Sequence, residues 1–152
     1  MPGSQDLRAD CARCAALCCV VPAFAKSADF AIDKPAGTPC PNLGSDTGGG
    51  DFGCGIHDEL RDRGFPGCTV YDCFGAGQQV VQVTFGGRDH RSSPELAGPM
   101  FAVFPTMRVL HELRWYLTEA LTFEVAPALR HPRPAPRTPA HRQGHHTAAP
   151  HP

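Results

Sequence analysis

Eight cysteines lie between positions 11 and 73 of the chain: Cys11, Cys14, Cys18, Cys19, Cys40, Cys54, Cys68 and Cys73. The first four are spaced C-x2-C-x3-C-C, and His57 follows Cys54 by three residues. A thiolate is a soft anionic ligand, and C-x2-C spacing puts two of them on one turn of chain, so several donors can reach one ion. Ligand pairs can be drawn as Cys11/Cys14, Cys18/Cys19, Cys54/His57 and Cys68/Cys73, with Cys40 in addition. These residues suffice for two tetrahedral zinc sites with one donor over, and equally for an iron–sulfur cluster with spare thiols. The expected cofactor is therefore zinc or iron, and the expected partner is a metal ion. The opening series is not the bacterial ferredoxin run, which continues with two-residue gaps.

Other chemistry is thin. Cys18 and Cys19 form a close thiol pair near a predicted helix end, where a lowered pKa would suit redox work. An iron–sulfur or thiol redox protein is thus the alternative reading. Asp58, Glu59 and Asp62 beside His57 alternate with Arg61 and Arg63, the pattern of a solvated face. His90 and His111 have no cysteine neighbours and read as surface or helix-face residues. The stretch Gly44-Ser45-Asp46-Thr47-Gly48-Gly49-Gly50 lacks the Gly-Lys-Ser/Thr ending of a phosphate loop. No catalytic residue is expected, and the chain reads as something other than an enzyme in its own right.

Composition supports a metal-stabilised fold. Sixteen glycines and sixteen prolines in 152 residues leave little for a packed core, and bound metal would make up the deficit. A net charge of −1 gives no electrostatic footprint for nucleic acid. No run of about 20 apolar residues is present to span a membrane. The apolar stretch Ala15–Ala25 is preceded by Asp6, Arg8, Asp10 and Arg13 and interrupted by Pro22, unlike a secretory leader. The expected location is cytoplasmic, with reduced cysteines.

The elements that must position these thiols are mostly helical. Asp6 to Val21 reads as a helix capped by Asp6 or Asp10 and stopped by Pro22, which would set Cys11, Cys14 and Cys18 on one face. Ala23 to Asp51 reads as loop with a short strand near Phe30-Ala31-Ile32, and Asp58 to Arg63 as a helical turn ended by Gly64. Val80 to Phe85 suits a strand or the continuation of a helix from Gln78. Pro94 to Phe123 carries the clearest helical stripe: Met100, Val103, Phe104, Met107, Leu110, Leu113, Leu117 and Leu121. Pro105 would kink it. The stripe reads as core packing, with a face for a protein partner as the alternative. From Ala126 on, Pro, His, Arg and Ala dominate, and the tail carries His131, His141, His145, His146 and His151. The expectation is a mostly α, small irregular metal-stabilised domain: a cysteine-rich region over 6–90, an amphipathic helix over 94–124 packing on it, and a disordered tail over 125–152.

Two resemblances add to this reading. Cys11, Cys14, Cys18 and Cys19, then isolated Cys40, then Cys54-Gly55-Ile56-His57 and finally Cys68 and Cys73 resemble the zinc- or iron-chelating cysteine-cluster family. Its members open with C-x2-C-x2-C-C and close on Arg-Pro-x-x-Cys-Arg-x-Phe-x-Cys. Here the opening has one extra residue, and Arg63-Gly64-Phe65-Pro66 replaces the Arg-Pro step. The match covers about residues 6–75 and implies chelation of zinc or iron. The segments SADFAIDKPAGTPC, GCTVYDCFGAGQQVVQVTFGG and LHELRWYLTEAL look like the amino-terminal part of actinobacterial pentapeptide-repeat proteins. Repeats normally follow that helix, whereas here the Pro/His/Arg tail follows. That resemblance implies a third reading, a truncated pentapeptide-repeat interaction scaffold.

Overall fold

The computed structural model describes residues 7–44 and 52–123, and the chain divides into a compact unit 1–122 and a second unit 123–152. Most of the glycine-rich 44–50 stretch, the candidate cap Asp6 and the histidine-rich tail lie outside the described residues. The described fold is mostly helical. Among those residues there is no β-strand, only isolated bridges pairing Phe24 with Lys34 and Leu43 with Cys54. The strand expected near Phe30-Ala31-Ile32 is absent; those residues lie in the loop that the first bridge closes.

The continuous helix expected over Asp6–Val21 is broken. A 3-10 turn, Cys11–Arg13, is followed by Ala15 and Ala16 at φ 50° and 52°, and only then by α1, Leu17–Val20. Left-handed backbone at two alanines costs about 1–2 kcal/mol each, so packing must hold it. It does: both alanines are buried, and His90 Nε2–H donates to the Ala15 carbonyl at 3.0 Å. Asp10 makes no side-chain cap, and its backbone N–H instead bonds Gln78 Oε1.

The scaffold beneath this opening is α2 (Pro66–Val70), α3 (Ala76–Gln78), a π-helical turn Gln79–Thr84 and α4 (Ala97–Ala120). Pro66 starts α2, where its missing N–H costs nothing. The β-branched Val80–Phe85 run therefore continues the helix. Val80 and Val81 turn into the core, with Leu17, Ala76, Met100 and Phe104 around them. α4 runs through Pro105. Its apolar stripe is only half used: Met100 and Phe104 are buried and Val103 and Met107 pack at the core edge, but Leu110, Leu113, Leu117 and Leu121 are each more than half exposed. His111, expected at the surface or on a helix face, lies on α4 and is buried, with its Nδ1–H donating to the Phe74 carbonyl at 2.7 Å. Where a helical turn is expected over Asp58–Arg63, the chain forms a 3-10 turn at His57–Glu59, and Gly64 beyond it is left-handed (φ +83°).

Opening and scaffold meet at Gly77. A Cβ there would stand 2.6 Å from the Cys14 Cβ, so only glycine permits the approach. Gly98, near the start of α4, has nothing within 4 Å of its Cβ position. Gly77→Ala should destabilise the fold by about 1–3 kcal/mol through overpacking, while Gly98→Ala, exposed in the first turn and placed before Pro99, should change it by less than about 0.5 kcal/mol. Urea unfolding of the two variants checks the contrast, and equal effects would remove Gly77 from this role.

Candidate metal centre

Each cysteine is set in place by a separate piece of local structure. Cys11 opens the 3-10 turn and Cys14 closes it, with the Cys14 Sγ donating to the Cys11 carbonyl at 3.4 Å. The left-handed alanines then redirect the chain, so Cys18 and Cys19 sit on α1 rather than on a continuation of the same helix. Their sulfurs are 3.9 Å apart. Cys40 is carried to them by its own N–H, which bonds the Cys19 carbonyl at 2.9 Å.

Cys54 follows through the bridge to Leu43, since Leu43 bonds back to the Cys40 carbonyl. Gly55 N–H on the Asn42 carbonyl and Gly44 N–H on the Gly53 carbonyl, both at 2.8 Å, fix that pairing. Cys68 rides on α2, which is held to the 24–34 loop by Gly67 N–H on the Asp29 carbonyl and by Phe65 packed edge-on to Phe24. Cys73 lies buried between α2 and α3, and its carbonyl accepts the Ala76 N–H. His57 stands apart: its side chain is 74% exposed and its Nδ1 lies 3.4 Å from Asp58 Oδ1.

Lys34 was not legible as part of this region. A lone lysine ordinarily lies at the surface, and nothing in Asp33-Lys34-Pro35 marks an exception. Yet it is 3% exposed, and its ammonium donates to the carbonyls of Val20 (2.8 Å), Pro22 (2.6 Å) and Pro35 (3.2 Å). It ties the end of α1 to the loop that returns Cys40, within electrostatic reach of Cys19 and Cys40. Burial lowers its pKa, and the two thiols oppose that shift. Gln78 and Gln82 were also missed. Gln78 Nε2 donates to the Arg8 carbonyl and Gln82 Nε2 to the Arg13 carbonyl, which clamps the opening onto the scaffold. Their i, i+4 spacing was the available signal.

The thiols crowd one another electrostatically. Burial pushes the Cys14 thiol up to about 12, with Cys18 adding to the shift. Burial also raises Cys11, Cys68 and Cys73. Cys18 is raised first by its hydrogen bond with the Cys19 thiol and then by burial. Among the described residues, no three Cys, His, Asp or Glu side chains stand close enough as placed to hold one metal ion. The donor chemistry still fits a soft or borderline ion: all eight cysteines are free thiols, and the Cys18 and Cys19 sulfurs approach to 3.9 Å.

The chain is 56% identical over 121 residues to a Bacillus subtilis (strain 168) protein described as uncharacterized protein YybG. The match covers 80% of this chain and 42% of that relative, so the chain spans less than half of the relative's length. No family model matches the chain, and no solved structure matches it. The described residues include no helix long and apolar enough to cross a membrane.

Two predictions follow from the buried groups. Lys34→Met leaves the Val20 and Pro22 carbonyls without their donor, while Pro35 keeps the Thr38 N–H, and should cost about 2–4 kcal/mol in urea unfolding; a loss under about 0.5 kcal/mol would mean that water replaces the ammonium. The second concerns pH. The Cys14 thiol has an ordinary value of 9.0 and is raised in the fold, so its protonated form is favoured by folding. That contribution is complete below about pH 9 and is lost as pH rises toward about 12. With a chelator present, the urea midpoint should fall from about pH 8 to about pH 11. A midpoint that rises over that range would contradict the assignment.

Proposed function

We propose that this chain is a metal-chelating protein that holds zinc or iron through its cysteine thiolates. The observation that supports the reading is the 3.9 Å approach of the Cys18 and Cys19 sulfurs, with Cys40 bonded through its N–H to the Cys19 carbonyl, in a chain of eight free cysteines. The irregular segments around them have little apolar burial of their own. A ligated ion supplies the cross-link that such segments lack, and its binding free energy then acts as folding free energy.

The thiol redox alternative fares less well. A reactive cysteine needs a lowered pKa and an electropositive setting. Here Cys11, Cys14, Cys18, Cys68 and Cys73 are all raised. Raised thiols are poor nucleophiles until a cation displaces their protons, which suits ligands better than catalysts.

Protein purified without oxygen should carry metal in elemental analysis. A colourless product identifies zinc, and visible absorption identifies iron–sulfur chemistry. Complete removal of the metal should lower the unfolding temperature by about 10 °C or more. Unchanged thermal stability and circular dichroism after removal would overturn the reading.

A further inference from the structure

Cys18 and Cys19 hold their sulfurs 3.9 Å apart. Side chains of successive helical residues diverge by about 100°, so their rotamers bring the sulfurs together on a fixed backbone. That backbone is held from several sides. Leu17 and Val20, which flank the pair on α1, are buried. The Cys19 N–H bonds the Ala16 carbonyl at 2.8 Å, and the Cys19 carbonyl accepts the Cys40 N–H at 2.9 Å. The Lys34 ammonium holds the Val20 carbonyl at the end of the helix. Both cysteines are half-buried free thiols, so a small reagent can reach them while the helix that carries them stays in place. Among the described residues, no third Cys, His, Asp or Glu side chain joins the pair closely enough to complete a metal site. The ligand that suits the pair as it stands is one that asks for two sulfurs. Zinc takes four ligands. A trivalent arsenical that carries one organic group has two exchangeable positions, and both favour a soft sulfur donor.

We propose that Cys18 and Cys19 form a bidentate site for trivalent organoarsenicals, which close a ring across the two sulfurs. The site stands apart from the zinc or iron reading above, since it needs two sulfurs and no resident metal. In the hydrated form of such a reagent, arsenic carries two hydroxyls. Two S–H and two As–O bonds break, and two As–S and two O–H bonds form. The thiol protons leave in two molecules of water, and neither arsenic nor sulfur changes oxidation state. The first As–S bond is one that any thiol makes and loses. The second forms within the same molecule, at an effective concentration that free thiols do not match. Neighbouring sulfurs thus turn a labile adduct into a retained one. Small rotations about the Cα–Cβ bonds adjust the gap to the bridging atom without moving α1.

Phenylarsine oxide and the full-length protein, reduced and free of oxygen, test the site. One equivalent should give a single adduct in native mass spectrometry. The adduct should survive excess glutathione, a monothiol, and be released by dimercaptopropanol, a dithiol. Alkylation and peptide mapping, compared with untreated protein, should show Cys18 and Cys19 as the positions newly protected. The variants C18S and C19S should each retain at least about tenfold less arsenic after the glutathione wash, whereas C54S and C68S should retain it in full. Protection of another pair, such as Cys19 with Cys40, or an adduct of the unsubstituted protein that glutathione strips, would overturn the proposal. The mapping uses unsubstituted protein, so it decides even if a variant fails to fold. Protein that carries no zinc or iron yet captures the arsenical would defeat the chelating reading and leave this one standing. Metal-bearing protein that fails to capture it, before and after chelator treatment, would do the reverse.

Discussion

The close approach of Cys14 to Gly77 is the constraint on which the rest of the architecture turns. The opening segment supplies half of the cysteines, yet it has no long helix of its own to hold it. It is seated on the scaffold by one contact that only a glycine allows, and by two glutamine side chains that bond its carbonyls. The left-handed alanines are the consequence. With Cys14 pinned, the chain must reverse at Ala15 and Ala16 before Leu17 and Val20 can reach the core. Burial of those small apolar side chains, at about 25 cal/mol per Å², offsets a backbone conformation that alanine otherwise avoids.

The same arrangement explains why the thiols lie where they do. The apolar cluster of Leu17, Val80, Val81, Met100 and Phe104 forms a floor under α1, and Cys73 belongs to it. Cys40, Cys54 and Cys68 are held farther out, by backbone hydrogen bonds and a buried ammonium rather than by a core. Lys34 substitutes for packing there: one cation satisfies the Val20 and Pro22 carbonyls that a short loop would leave unpaired, and shares the Pro35 carbonyl with the Thr38 N–H. Polar anchoring of this kind is directional. It can set a cysteine beside its neighbours but contributes little apolar burial, which is the circumstance in which a bound ion adds most to stability.

α4 serves two ends differently. Its first half completes the core through Met100 and Phe104, and the buried His111 fixes its middle to Phe74. Its second half carries Leu113, Leu117 and Leu121 in the open, with Trp115 packed near Phe74 and Tyr116. One periodic stripe thus covers two environments among the described residues.

The sequence by itself determined which thiols are present, the mostly helical class, the charged turn ending at Gly64 and the long helix before the tail. These depend on residue type and on spacing within a few positions. It could not determine which thiols are neighbours. Cys18 and Cys19, adjacent in the chain, keep their sulfurs 3.9 Å apart, whereas Cys14 is set by Gly77, far from it in sequence. Nor could it show that Val80–Phe85 stays helical, since β-branched residues suit a strand or a buried helix face equally until a partner surface exists. Nothing in the sequence singles out Lys34, and His111 reads only as a surface or helix-face residue, because their carbonyl acceptors come from other segments. Tertiary structure decided these matters for one physical reason: a side chain's partners are set by what the backbone brings near it, and here that depends on long-range contacts such as Cys14 on Gly77, which no local pattern encodes.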